Sequence, residues 1–273
     1  MLGLVCMLYG KGMKKGVSSL KSFQQEKVKA AALFNLDYTL NCINFCLENG
    51  YIYRVSSAII PYPDFWEWDK DKELLEKFKK IKKLSSKIRL MIHPDQFVVL
   101  NSDRDEVIEN SLKILNQQYR LAELLGVSDM IIHIGKKDGV EKFKEIYKNR
   151  LSLDLKKILR IENCHYYKVD EVLKLCEDLK ISMILDVHHA RVTESKDYDV
   201  DKIIKTWKKR KPLAHISSGK SFENDRSHSD YISLEDVKKF LWLFEKFDVE
   251  VEAKLKEKAL KDLSEKLKKF KMV

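Results

Sequence analysis

Residues 182–190 read SMILDVHHA. A nearly unbroken apolar run, too short for a buried helix, ends in Asp186, Val187, His188 and His189. A strand that is apolar on both faces belongs to a parallel sheet covered on both sides. The polar residues fall at its C-terminal end, the rim where catalytic groups sit in a parallel barrel.

Seven further segments share this character: Gly3–Leu8, Tyr51–Ser56, Ile88–His93, Met130–Ile134, Ile158–Asn163, Leu213–Ser217 and Val249–Ala253, with Ser182–Val187 as the sixth in order. Helical periodicity fills the gaps, over Glu26–Glu48, Asp69–Ser86, Ser102–Gly126, Gly139–Lys148, Val169–Leu179, Val200–Lys209, Ser233–Phe247 and Lys256–Lys271. Ser102 is the expected cap of the third helix and Gly126 its stop. Leu255, Leu260, Leu263 and Leu267 recur at helical spacing, which makes the last helix amphipathic rather than a loose basic tail. Eight strands alternating with eight helices predict one α/β domain over residues 1–273, a (β/α)8 TIM barrel whose functional site lies at the C-terminal ends of its strands. An open doubly wound sheet would use the same elements.

The chain has 273 residues, 44% of them hydrophobic, with 4 Pro and 9 Gly. That supports a substantial core and argues against long linkers. The net charge of +10 favours a polyanionic partner, although a surface of interleaved lysine and glutamate accounts for much of it. Five scattered cysteines form no CxxC pair and read as buried, reduced thiols. The opening MLGLVCMLYGKG has too short an apolar run for a signal peptide, and no stretch is long enough to span a membrane. A cytoplasmic, monomeric protein is expected.

The chemistry lies in what the strand ends carry. His93 closes the third strand, His133 lies in the fourth, Glu162 ends the fifth and Asp186 the sixth. His215 lies in the seventh and Glu252 in the eighth. With His228 in the following loop, six of the seven histidines join this set; His165 is left over. One histidine at a strand end is commonly structural. Carboxylates inside apolar strands are rarely buried unless paired or bound to metal. Imidazole and carboxylate donors without thiolate suit Mn2+ or Zn2+, with Mg2+ a further candidate. The donors outnumber one ion's needs, so two or three divalent ions are expected. Closely spaced ions suit phosphodiester hydrolysis, one activating water and the others neutralising phosphate and leaving oxygen. For His189 rather than His188 to be the ligand, the strand must end at His188 so that the chain turns back.

At these residues the sequence resembles the UV-damage endonucleases, relatives of endonuclease IV among the xylose-isomerase-like TIM barrels. The matching pieces are YRVSSAIIP (Tyr53–Pro61), HPDQF (His93–Phe97), IIHIG (Ile131–Gly135), IEN (Ile161–Asn163), DVHHA (Asp186–Ala190), HISS (His215–Ser218), RSHSDYI (Arg226–Ile232) and EAK (Glu252–Lys254). The resemblance implies a metal-dependent endonuclease that nicks damaged double-stranded DNA 5′ to ultraviolet photoproducts. It implies His93, His133, Glu162, Asp186, His189, His215, His228 and Glu252 as metal ligands, with Glu162, Glu252 and Lys254 in catalysis. Gln96 and Phe97 match residues that probe the duplex, and Arg54 with Ser56 is expected at the phosphate backbone. The alternative for Arg54 is a buried ion pair. Phe97 stands where the family typically has Tyr, Leu4 where many relatives have Tyr, and Leu213 where some carry Lys.

Three rival readings use much of the same pattern. An abasic-site endonuclease of the endonuclease IV type would share a similar ligand set. A sugar isomerase or epimerase would need fewer ligands and gain nothing from the charge. A DNA-binding protein with structural metals would bind DNA without cutting it.

Overall fold

The structure is a computed structural model that describes residues 1–94 and 98–271. Strands β1 (Leu2–Cys6), β2 (Ile52–Val55), β3 (Leu90–Ile92), β4 (Asp129–His133), β5 (Leu159–Glu162), β6 (Ser182–Asp186), β7 (Leu213–Ile216) and β8 (Asp248–Val251) pair in sequence order. All pairs are parallel, and β8 returns to β1 through Leu2↔Val249 and Gly3↔Glu250. That closure excludes the open doubly wound sheet. The architecture is a (β/α)8 barrel.

Around the wall run α1 (Gln25–Asn49), α2 (Lys72–Leu84), α3 (Asp105–Leu125), α4 (Val140–Arg150), α5 (Leu153–Ile158) and α6 (Val169–Leu179). They continue as α7 (Val187–Val192), α8 (Val200–Thr206), α9 (Leu234–Lys239), α10 (Leu241–Lys246) and α11 (Glu257–Lys271). The last packs as its leucine stripe requires, with Leu260 and Leu263 buried in the core. Four departures from the expected pattern have local causes. α3 begins at Asp105, not Ser102, whose hydroxyl instead accepts the amide of Arg104 in a preceding turn. The segment expected over Ser233–Phe247 breaks at Phe240, which closes α9 and opens α10. Ile158 ends the short helix α5 rather than starting a strand. β6 stops at Asp186, because its carboxylate accepts the amide of His189 at 2.7 Å and caps α7.

Gly126 ends α3 as expected, at φ 75°. A Cβ there would run into Ser85 Oγ and lie 2.9 Å from Ser85 Cβ. Left-handed backbone and a steric clash act together, so Gly126→Ala is expected to destabilise the protein by ~1–3 kcal/mol. Urea unfolding checks this; an unchanged midpoint would contradict it.

The pleat sorts strand residues into two populations. Tyr53, Leu90, Met130, Ile161, Met183 and Val249 belong to the outer core beneath the helices. Their alternates Ile52, Met91, Ile131, Ile184 and Leu213 cluster separately with Trp207, inside the barrel. Below this apolar layer, at the N-terminal ends of the strands, Asp129 pairs with Arg89, Arg160 and Arg210 around the Trp207 ring. Above it, two residues past Met91, Ile131 and Leu213, His93, His133 and His215 stand at the opposite mouth. Four cysteines are buried, Cys6 is half-buried, and all five are free thiols. Among the described residues no helix is long and apolar enough to cross a membrane.

Candidate metal centre

Glu162, the last residue of β5, is the hub of the mouth. Its Oε2 lies 3.1 Å from His93 Nε2 and 3.9 Å from His133 Nε2. Its Oε1 lies 3.1 Å from His215 Nδ1 and 3.4 Å from His189 Nδ1. Asp186 Oδ2 is 3.7 Å from His189 Nδ1. On the far side Glu252 stands 3.6 Å from His215 Nδ1 and 3.7 Å from His228 Nδ1. Two sets of donor atoms lie close enough for a shared cation: His93, His133 and Glu162, and Glu162, Asp186 and His189. Glu162 belongs to both.

The sequence expected these eight residues at one mouth, and the barrel brings them there. It also decides between the paired histidines. Because Asp186 caps α7, His189 turns inward while His188 turns away. The His188 ring accepts from Arg191 through Nδ1 and donates through Nε2 to the carbonyl of Asp225. It therefore ties α7 to the loop that carries His228. The expectation that β6 runs on to His188 is corrected.

Several buried polar atoms here lack a hydrogen-bond partner among the described residues: Asp186 Oδ2, His133 Nδ1, both ring nitrogens of His215 and both oxygens of Glu250. Such atoms are costly unless something else satisfies them. The donors are imidazoles and carboxylates, the set that a hard or borderline divalent cation accepts. The residues therefore fit a metal centre.

Electrostatics supports the same view. Burial alone would push Glu162 up, but His215 and His133 hold its carboxyl well below the usual range. Burial also opposes ionisation of Glu252, and Arg54 and His215 overcome it. Burial pushes Asp186 up. Burial drives His133 down to about 4, so its ring is neutral and ready to donate a lone pair. Against the pull of burial, Asp186 and Glu162 raise His189 to about 10. Protons on His189 and His215 thus offset the clustered carboxylates, a charge that divalent ions would replace.

Other expectations are corrected. Arg54 is 5% exposed, and its guanidinium pairs with Glu252 and, at 3.2 Å, with Glu250. The buried ion pair prevails over a phosphate contact, because reaching DNA would strip two carboxylates of their partner. Ser56 is buried too, its hydroxyl accepting the amide of Ala58. Lys254 lies beyond the end of β8, not on it, and is exposed; its backbone amide donates to the carbonyl of Ser229. Leu4 is fully buried in the outer core. Gln96 and Phe97 lie outside the described residues.

The sequence missed two participants. His165, left over by the strand-end rule, packs its ring 4.2 Å from His189, and burial lowers it to about 4. Glu250 is fully buried beside His215. Strand alternation from Glu252 was the available signal for Glu250. Beside the cluster opens a cavity of about 810 Å³ lined by His93, Val98, Lys136, Lys137, Tyr166 and Glu252, among others. One wall is thus apolar and one basic, next to the carboxylates.

With this geometry in view, known proteins give a consistent answer. A family model described as UV-endonuclease UvdE matches residues 15–273. The chain belongs to the UV-endonuclease UvdE family. The UvdE relatives include the UV DNA damage endonuclease of Nostoc sp., 32% identical over 96% of this chain and 88% of that protein. Another is the UV DNA damage endonuclease of Bacillus thuringiensis subsp. konkukian, 30% identical over 88% of this chain and 83% of that one. The crystal structure of SacUVDE superposes with a TM-score of 0.88 at 26% identity, over 100% of this chain and 99% of the other. Endonuclease IV from Thermus thermophilus shares the fold beyond the UvdE family, with a TM-score of 0.61 at 16% identity over 98% and 99% of the two chains.

Proposed function

We propose that this protein is a divalent-metal-dependent DNA repair endonuclease that hydrolyses one phosphodiester bond 5′ to ultraviolet photoproducts in duplex DNA. The observation that carries the reading is the convergence of eight imidazole and carboxylate side chains on and around Glu162, in a chain of the UvdE family. His93, His133 and Glu162 would hold one ion, and Glu162, Asp186 and His189 a second. His215, His228 and Glu252 complete the ring and offer donors for a third. Mn2+ or Zn2+ suits the donors best.

Ions held there would supply a means to activate water and positive charge against the phosphate. The chain's own residues set the stage for this. Glu162, kept ionised, bridges the two groups. Arg54 holds Glu252 in place from below. The carbonyls of Pro94 and Asn163 take the Nδ1 protons of His93 and His189, fixing both rings. Lys136 and Lys137 give the adjoining cavity a basic wall for the DNA backbone. No side-chain nucleophile is required.

The test is incubation with Mn2+ and end-labelled duplexes that carry a cyclobutane pyrimidine dimer, an abasic site or no lesion. A nick immediately 5′ of the dimer, abolished by EDTA, is expected. Cutting confined to the abasic duplex would reassign the substrate. No cutting with Mn2+, Zn2+ or Mg2+ would remove the reading.

A further inference from the structure

We infer that Glu250 is a positioning residue for His215: it takes the ring's Nε2–H and leaves the Nδ1 lone pair facing Glu162 and Glu252. The inference rests on the metal reading above and adds a residue outside the eight.

Glu250 is in an unusual place for a carboxylate. It points into the barrel from β8, alternating with Val249 and Val251 of the outer core, and is fully buried. Room for it exists because its register partner on β1 is Gly3, where a Cβ would come within 3.2 Å of Glu250 Cγ and 2.8 Å of an Ile52 carbon. An apolar residue at this height would continue the layer of Ile52, Met91 and Ile131. A buried carboxylate is costly unless its neighbours compensate, so its partners show its use.

Those partners are two. Arg54 bridges Glu250 and Glu252, which balances charge. His215 presents Nε2 to Glu250 Oε2 in direct contact. The contact lacks hydrogen-bond alignment, and neither group has another aligned partner among the described residues. The opposite ring nitrogen, Nδ1, faces Glu162 at 3.1 Å and Glu252 at 3.6 Å. A neutral ring has one proton for two nitrogens, and placing it on Nε2 makes Nδ1 the ligand atom.

The neighbouring histidines show the same arrangement built differently. His93 Nδ1 is 2.9 Å from the carbonyl of Pro94, and His189 Nδ1 is 2.8 Å from the carbonyl of Asn163. Both lie at the end of a strand or beyond it, where main-chain carbonyls are free. His215 lies inside β7, paired with Asp186 on one side and Glu250 on the other, and its neighbouring carbonyls belong to the ladder. Only a side chain can serve there. A carboxylate in that position fixes the tautomer and raises the basicity of the ligand nitrogen.

The experiment titrates Mn2+ into the full chain by electron paramagnetic resonance, for wild type, Glu250→Leu and Glu250→Gln. It also reads the His215 tautomer by long-range 15N–1H correlation in the Zn2+-loaded chain, where the ring is neutral, assigned with His215→Gln. Glu250→Leu is expected to lose roughly 10–100-fold in Mn2+ affinity. Glu250→Gln, whose amide oxygen still accepts from Nε2, should stay within about threefold of wild type. His215 should carry its proton on Nε2 in wild type and in Glu250→Gln. Equal Mn2+ affinity in wild type and Glu250→Leu, or a proton on Nδ1, overturns the inference and leaves the metal reading standing. If wild type itself binds no Mn2+, the metal reading fails and this inference with it. Should Glu250→Leu not fold, the tautomer in wild type and Glu250→Gln decides alone.

Discussion

Glu162→Gln is expected to leave the barrel folded and the DNA affinity close to wild type while nicking falls by at least ~10³-fold, about 4 kcal/mol in the barrier. Glutamine matches glutamate in shape, so packing at the end of β5 survives. What disappears is the single anion common to both three-residue groups. His93, His133, His189 and His215 all face that carboxylate, and an amide offers them a neutral oxygen and an NH2 that repels cations. Affinity for DNA rests on the surface of a chain with net charge +10 and is largely indifferent to one buried residue. Single-turnover cleavage and a gel-shift titration read the two effects separately. Loss of binding along with cleavage, in a folded variant, would favour structural metals in a DNA-binding protein.

The second large effect lies at the other end of the barrel. Asp129→Asn is expected to cost ~3–5 kcal/mol, because it removes one partner from a buried ionic cluster and leaves cations uncompensated. Asp129 is fully buried and accepts from Arg89 Nε at 3.0 Å, Arg160 Nε at 2.7 Å and Arg210 at 2.8 Å. Arg89 keeps a second partner in Asp248 at 2.9 Å, which in turn holds the N-terminal amine. Among the described residues Arg160, 5% exposed, has no other carboxylate among its ion pairs. The melting temperature should drop by roughly 6–20 °C at neutral pH.

The loss should also depend on pH. Burial opposes ionisation of Asp129, but Arg89, Arg160 and Arg210 outweigh it and set the native carboxyl below its ordinary 3.8. In the window between the two values the unfolded chain binds more protons than the native one, so stability rises with pH. The contribution is therefore complete above the unfolded value and is lost as pH falls through the native one. Thermal melts from pH 6 to pH 2 should show the gap between wild type and Asp129→Asn narrowing once pH falls below the unfolded value. A constant gap would show that the carboxylate's charge is not what matters.

Much of this was legible from the chain. MIIHI and SMILDV announce buried parallel strands, and each of the eight segments became one, give or take a residue or two. The strand-end rule found six of the residues at the mouth, with His189 taken from the spacing after Asp186 and His228 from the loop after β7. It overlooked His165, which sits in the loop after β5, and Glu250, which is one layer deeper. It misplaced Arg54 and Ser56, since an arginine that follows a tyrosine in a strand looks the same whether it faces DNA or two carboxylates.

By itself the sequence determined the alternation of strands and helices, and with it the mouth where the metal-binding residue types gather. Strand and helix periods are local, and parallel strands in a barrel all end on the same side. Tertiary structure alone decided which side chains meet. Glu162 became a hub because the register sets His133 level with it across β4 and β5, and Asp186 level with His215 across β6 and β7. His189 turned inward because a carboxylate three residues earlier capped a helix instead of extending a strand. Both depend on stagger between segments distant in sequence and on where a strand stops, and no local period encodes either.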